Sequence, residues 1–417
     1  MIFEKGSIRR SLKYSIWDGI FTALMVGVSD SYLIPYGIAL GASSSQVALL
    51  ASAPMFIASI LQVRSAGVTQ SIGSRTKLIN WMVFFHALSW LPIILIPYLL
   101  SRNEIRHLAP WALLASVVVT MCCGAFAVPA WQSLMSDYIP VSKRGLYFGW
   151  RNRLQGVLTV SVSIIAGIVL HRFKDNEILG FTLILSFAMI SRFLAWGCLI
   201  HMTEPFRHTS HDIYFSFLDF LKGMRARNFA RFVLFVSLMS FAVNISGPQL
   251  TVFLLKDLKF SYVHYMVVVT TAALSGFLFQ ALWGKYGDKF GNLKVLRIAG
   301  WGIAFIPFLW LVSHELPYLI FVQTIAGGVW GGFTLLHLNF IMEAVSPEKK
   351  IRCIAYFNVV NSFAVFLGAF LGGQLVHRLP PVFGYSFLTL FLISCLGRIL
   401  VMGFLPRLVS EVRGNES

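Results

Sequence analysis

Acidic residues are scarce in this chain. Seventeen Asp and Glu stand against 34 Lys and Arg in 417 residues, and charged residues of both signs make up only 12%. A water-soluble surface needs about twice that share of charge, so the composition excludes an ordinary globular domain. Cysteine is sparse as well. Cys122, Cys123, Cys198, Cys353 and Cys395 fall in or at the edge of apolar segments, with neither a disulfide framework nor a metal-ligand spacing. No Gly-rich phosphate loop follows a strand pattern, and no Ser, His and Asp set points to hydrolysis. An ATP-driven pump is thereby disfavoured, a membrane enzyme lacks its acid and base cluster, and neither cofactor nor metal is expected.

What the chain holds in abundance is apolar sequence. Hydrophobic residues make up 57%, with a mean hydropathy of +0.74. Runs of about 18 or more apolar residues, enough to cross about 30 Å of hydrocarbon, recur from end to end. The expected partner is a lipid bilayer, and no soluble domain fits between the runs. The net charge of +17 does not imply nucleic acid, because the basic residues are segregated. With the amino terminus inside, 25 of the 34 Lys and Arg fall on the inner side and 7 on the outer, Arg151 being counted in an inner loop. That is the positive-inside asymmetry, and it predicts a multi-pass cell-membrane protein with both termini cytoplasmic. The basic amino-terminal tail enters an apolar run of more than 20 residues, too long for the apolar stretch of a signal peptide. It reads as an uncleaved first helix.

Twelve spans are predicted: Tyr14–Leu40, Gln46–Val63, Leu78–Leu100, Pro110–Leu134, Leu154–Leu170, Ile178–Met202, Phe232–Leu255, Tyr262–Trp283, Val295–Val312, Leu316–Ile341, Cys353–Leu375 and Phe383–Phe404. Six precede and six follow one longer connection, which defines domains 1–202 and 232–417 joined by a linker, 203–231. In the linker Ile213, Phe217, Leu221 and Met224 recur at helical spacing opposite Asp219, Lys222 and Arg225. An amphipathic helix on the inner membrane surface is expected there.

The two halves read as repeats. The polar stretch Trp283 to Leu296, WGKYGDKFGNLKVL, is expected to be a tight turn between two spans, with glycines where helices end. AGVTQSIGSRTKL from Ala66 to Leu78 aligns with it, Gly73 opposite Gly291 and Gln70 opposite Asp288. The loop Ser136–Asn152 matches Met342–Asn358, Arg192 matches Arg398, and LMVGVSD ending at Asp30 parallels LMSFAVN ending at Asn244.

The pattern Gly284, Asp288, Lys289, Gly291 resembles the cytoplasmic loop motif of the major facilitator superfamily, and the repeat extends the resemblance over the whole chain. PAW at Pro129–Trp131 and RGLYFGWRNR at Arg144–Arg153 are similar to a large bacterial subgroup. The resemblance implies an all-α membrane protein with twelve transmembrane helices in two pseudo-symmetric six-helix bundles. It also implies a central cavity lined by spans 1, 4, 7 and 10, and secondary transport of a small-molecule substrate by alternating access. A monomer is expected. GAFLGG at Gly368–Gly373 reads as close packing of helices. The glycine-rich motif of drug and proton antiporters is missing from span 5, so that function is not supported.

Candidate substrate-binding residues are the polar and aromatic groups on the implied cavity helices: Asp30, Trp131, Gln132, Asn244, Gln249, Trp330, His337, Asn339 and Asn361. Asp30 is read as the only carboxylate well inside a span, a proton carrier or else a structural Asp bonded to its neighbours. Proton coupling is thus expected through Asp30. Gly247 and Pro248 should break span 7, freeing backbone groups for a ligand or serving as a bend. Gating is expected from Arg75, Lys77, Gly284, Asp288, Lys289 and Gly291, with the carboxylate-dependent contact confined to the Asp288 side. Arg192, Arg398 and His86 lie on spans that the resemblance makes peripheral; anion binding, snorkelling or an internal ion pair are open for the arginines. A second class of function is also open, a non-transporting receptor or assembly component, because Gln70 replaces the motif acid and buried charge is scarce.

Overall fold

The computed structural model describes residues 5–100, 105–139, 141–204, 228–345, 347–376, 378–404 and 409–411. Among them regular structure is helical, apart from one isolated bridge between Val382 and Tyr385. The chain divides into two compact units, Met1–Gln46 with Ala53–Thr209, and Val47–Ser52 with Ser210–Ser417. The first carries α1 (Lys5–Ser29), α2 (Leu33–Ala39), α3 (Ser44–Gln62, apart from Val47–Ser52), α4 (Ser65–Ile72), α5 (Arg75–Leu88), α6 (Trp90–Leu99), α7 (Ala109–Tyr138), α8 (Val141–Arg172) and α9 (Glu177–Ile200). The second carries α10 (Asn228–Ser246), α11 (Gln249–Val252), α12 (Tyr262–Phe290), α13 (Asn292–Leu309), α14 (Leu316–Ala344), α15 (Pro347–Leu375) and α16 (Ser386–Phe404).

Among the described residues eleven spans are long and apolar enough to cross a membrane. The twelfth is α1, whose 25 residues include Lys5, Arg9, Arg10, Lys13 and Asp18. The expected linker helix, Ile213 to Met224, lies outside the described residues.

Proline sets the breaks. The first span is not continuous over Tyr14–Leu40: α1 stops at Ser29 and α2 restarts at Leu33, because Pro35 cannot donate to the carbonyl of Ser31. Asp30 falls in that break. Likewise α5 and α6 part at Ser89, three residues before Pro92. Gly247 and Pro248 separate α10 from α11, as the sequence predicts.

The stretch expected to be a turn from Trp283 to Leu296 is corrected by the structure. Helix α12 runs through Gly284, Gly287, Asp288 and Lys289 to Phe290, and the reversal is made by Gly291 at φ +97°. Glycine is needed there for its positive φ and because a Cβ would meet Glu411 Oε2 at 2.7 Å. The counterpart is Gly73, φ +72°, which ends α4 before Ser74 caps α5 by accepting from the Lys77 N–H.

Small residues let the helices approach closely, as the lipid-facing setting requires. A polar ladder joins α8 to α1: Arg151, Gln155, Thr159 and Ser163, spaced by four, donate to the carbonyls of Ser15, Gly19, Ala23 and Gly27 at 3.2, 2.9, 3.3 and 2.5 Å. Both helices present one face at that spacing, so every rung repeats the same geometry. A Cβ on Gly27 would lie 2.7 Å from the Thr159 carbonyl.

Candidate functional site

The ladder's first rung opens into a buried charge cluster. Asp18 is thirteen residues along α1 from Lys5, about 20 Å at the helical rise, and is 5% exposed. Its Oδ2 accepts from Arg151 Nη2 at 3.2 Å, an ion pair. Its Oδ1 accepts from Thr22 Oγ1 at 3.4 Å, and Thr22 accepts in turn from Arg192 Nη1 at 3.0 Å. Arg192 Nε donates to His86 Nδ1 at 3.0 Å, so His86 offers a lone pair there and carries its proton on Nε2. The Arg151 guanidinium also lies 4.6 Å over the Trp131 ring, a cation–π contact.

Asp18, Thr22, Trp131, Arg151, Gln155 and Arg192 line a cavity of about 160 Å³ within the first unit. Two guanidiniums face one carboxylate, and the buried Trp131 Nε1 has no hydrogen-bond partner. A solute with hydrogen-bond acceptors suits that surplus of positive charge and donors.

Three sequence expectations change here. Asp30 is not the only carboxylate in a span, for Asp18 lies inside α1 and is the buried one, whereas Asp30 is exposed. Arg151 is not a loop residue; it is 7% exposed and sits in the cluster, which lowers the inner count of basic residues from 25 to 24 without disturbing the asymmetry. Arg192 and Arg398 are both buried and held by internal hydrogen bonds, and neither snorkels. Asp18 is legible only through its partner: an Asp on α1 and an Arg on α8, both flanked by residues spaced by four.

Of the other expected site residues, Gln132 is exposed on α7 and does not line this cavity. In the second unit a separate cavity, also about 160 Å³, brings together Gly247, Trp330, Gln323 and Arg398. Asn244 Nδ2 donates to the Ser240 carbonyl at 2.8 Å, and His337 Nδ1 lies 3.0 Å from the Phe333 carbonyl, so both are tied to their own helices. Gln249 is fully buried behind the helix break. Asn339 and Asn361 are half-buried, and Asn361 Oδ1 has no hydrogen-bond partner.

At the helix starts the structure again differs from expectation. The carboxylate-dependent contact is not confined to the Asp288 side: Arg75 pairs with Asp137 at 2.6 Å and with Glu204 at 2.9 Å. Glu204 also accepts from Ser74 Oγ at 2.6 Å and from the backbone N–H groups of Arg75 and Thr76. Its repeat is Glu411, which accepts from the N–H groups of Leu293 and Lys294 at the start of α13. Each carboxylate satisfies orphan donors at the positive end of a helix dipole. Asp288, Lys289 and Lys77 are exposed. The signal for the acids was available, since each follows the last helix of its half by a few residues.

Burial works to raise the Glu204 carboxyl, but the bonds from Ser74, Arg75 and Thr76 outweigh it and hold the group down to about 2. A depressed carboxyl stabilises the fold fully above its ordinary value of 4.5 and loses that contribution as pH falls through about 2. Glu204→Gln should therefore cost about 1–2 kcal/mol at pH 6, the loss of a partly exposed ion-pair partner being reduced by solvent screening. The gap to the native protein should close as pH falls from 4.5 towards 2. Unfolding midpoints of both proteins across that range check it; a gap independent of pH would assign the loss to packing.

The helical bundles, the buried charge inside one of them and the capped helix reversals define the class: a multi-pass membrane protein with the fold of secondary transporters. The family model described as Major Facilitator Superfamily matches residues 232–417. Among curated proteins the chain is similar to the uncharacterized MFS-type transporter YuxJ of Bacillus subtilis (strain 168), 28% identical over 142 residues, which are 33% of this chain and 35% of that one. It is also similar to the multi-drug resistance efflux pump PmrA of Streptococcus pneumoniae serotype 4, 22% identical over 277 residues, 63% of this chain and 65% of that one. The matches thus span about a third and just under two thirds of those relatives. Among solved structures the nucleoside transporter NupG superposes with a TM-score of 0.69 at 14% identity, over 96% of this chain and 98% of that one. The D-xylose-proton symporter superposes with a TM-score of 0.70 at 13% identity, over 98% of each. The second half of the chain thus matches that family's model, and the whole chain shares the fold of these transporters.

Proposed function

We propose that the protein is a secondary transporter that moves a small organic solute across the membrane by alternating access and couples it to protons through Asp18. The Asp18–Arg151 pair beside an open cavity carries this reading. While Asp18 is ionised it holds the Arg151 guanidinium. Protonation of Asp18 releases Arg151 to take an acceptor group of the solute, so proton and solute bind together. Buried ionisable pairs inside membrane helices mark such relays. Asp30, in the break after α1, is the second carboxylate candidate for the proton. The two bundles, 1–202 and 232–417, are taken to move as units joined by 203–231, in a monomer with both termini cytoplasmic. Arg75 and Lys77, with Gly284, Asp288, Lys289 and Gly291, are the gating candidates of the two halves. The name of PmrA brings drug efflux into consideration, and the cavity's surplus of guanidinium fits anionic or polar solutes better than cationic drugs.

Flux into proteoliposomes under an imposed pH gradient, across a panel of organic solutes, tests the reading. The native protein should accumulate its solute only when the gradient is present. Asp18→Asn should keep solute binding, seen as thermal stabilisation, and lose gradient-driven accumulation at least tenfold. Accumulation indifferent to the gradient in the native protein would remove proton coupling. A solute that stabilises the protein but never crosses would favour the receptor reading, whose support from scarce buried charge is weakened by the cluster around Asp18.

A further inference from the structure

Arg398 is a buried cation that nothing among the described residues neutralises. It lies on α16 and is 5% exposed. Its Nε donates to Ser394 Oγ at 3.1 Å, Nη1 to the Ile303 carbonyl at 3.0 Å, and Nη2 to Ser246 Oγ at 3.2 Å and the Val243 carbonyl at 3.4 Å. All four acceptors are uncharged, and among the described residues no carboxylate pairs with it. Five N–H groups make up a guanidinium, so one Nη1 hydrogen remains after these bonds.

The repeat shows what is missing. Arg192, its counterpart, shares a cluster with Asp18 and Arg151. By the alignments that pair Asp30 with Asn244 and Asn152 with Asn358, positions 18 and 151 become Phe232 and Phe357 in the second half. Phe232 stacks on Phe340 with ring centroids 4.1 Å apart, and Phe357 lies against His337. The second bundle has kept the buried arginine and replaced its acid and the neighbouring base by aromatic packing.

Beside Arg398 lies the second cavity of about 160 Å³, lined by Ser246, Gln323, Trp310, Trp330 and Phe391 with Arg398 itself. The break at Gly247 and Pro248 borders it, where Pro248 has no N–H for the Asn244 carbonyl. An uncompensated guanidinium in the hydrocarbon layer is costly, and an anion is the group that offsets it. The Nη1 hydrogen left over can donate one charge-assisted bond to a carboxylate oxygen. Three aromatic side chains supply walls for a ring, and a space of about 150 Å³ is known to accept benzene.

We propose that this cavity is a binding site for an aromatic monocarboxylate, its carboxylate on Arg398 and its ring between Trp310, Trp330 and Phe391. The site belongs to the second unit alone and does not depend on transport or on Asp18.

Sodium benzoate is the probe, titrated against the purified full chain in nanodiscs while thermal unfolding is followed. Benzamide has the ring without the charge, and sodium chloride the charge without the ring. Benzoate should raise the midpoint with the logarithm of its concentration. Benzamide should need at least a tenfold higher concentration for the same shift, and chloride should give no saturable shift. Arg398→Gln should weaken the benzoate response at least tenfold. Ala326→Leu keeps the guanidinium and fills the cavity beside it, so it should lose the response equally while excluding the first unit's cavity as its source. No stabilisation of the native protein by benzoate overturns the assignment. Equal responses to benzamide or chloride overturn it too, as does a full benzoate response in folded Ala326→Leu.

Discussion

Replacing Asp18 with Ala is expected to destabilise the protein by about 3–5 kcal/mol, the range found when one partner of a buried ion pair is removed. The size follows from what stays behind. Arg151 is 7% exposed and Asp18 is its one carboxylate partner among the described residues. Without it, two guanidiniums face the same cavity with no anion between them. Arg151 keeps the Ser15 carbonyl, Gln155 and the Trp131 face, which soften the loss without cancelling charge. The double variant Asp18→Ala, Arg151→Met should recover much of the stability, because it removes the orphaned charge together with its partner. Denaturant or thermal unfolding in nanodiscs, run as a double-mutant cycle, measures the coupling. A loss under about 1 kcal/mol for the single variant would mean that the pair is too well solvated to organise the site.

Gly372→Ala should be nearly as damaging, and for a steric reason. A Cβ at Gly372 would lie 1.8 Å from the Ile245 carbonyl oxygen, and one at Gly368 would lie 2.2 Å from that of Phe241. The obstructing atoms are backbone, so α10 and α15 must separate rather than a side chain turn aside. Separation strips dispersion contacts along the whole interface, where lipid gives no hydrophobic drive to restore them. A loss of about 3 kcal/mol or more, with a fall in folded yield, is the expected result for overpacking at a rigid contact. Gly403→Ala is the control: nothing lies within 4 Å of its Cβ position, and the better helix propensity of Ala should leave stability level or slightly raised. If both variants behave alike, the close approach of α10 and α15 is wrong.

These two sites show how unevenly the sequence could be read. GAFLGG was legible as a packing motif because small residues spaced by four have few other uses in a membrane helix. The helix break at Gly247 and Pro248 was legible because proline acts locally. The first span departs from its expected continuity for the same local reason: Pro35 ends the helix early, and Asp30 falls in the break. Helix α12 runs past Trp283 to Phe290, because three glycines and two charges that look like a turn in sequence are tolerated in the last turns of a helix that leaves the bilayer. The capping roles of Glu204 and Glu411 are not legible in sequence, because a cap is defined by the N–H groups it meets, over a hundred residues away.

By itself the sequence determined the membrane, the apolar spans and the twofold repeat, since hydrophobic length, charge asymmetry and spacing are properties of the chain in order. It could not decide which charges are buried together. Asp18, Arg151, Arg192 and His86 come from four helices far apart in the chain, and only packing of those helices puts one carboxylate against two guanidiniums. Among the described residues the same packing leaves Arg398 without an acid. Coulombic pairing depends on distance in space, and in a helical bundle that distance is set by tertiary contacts that spacing along the chain does not record.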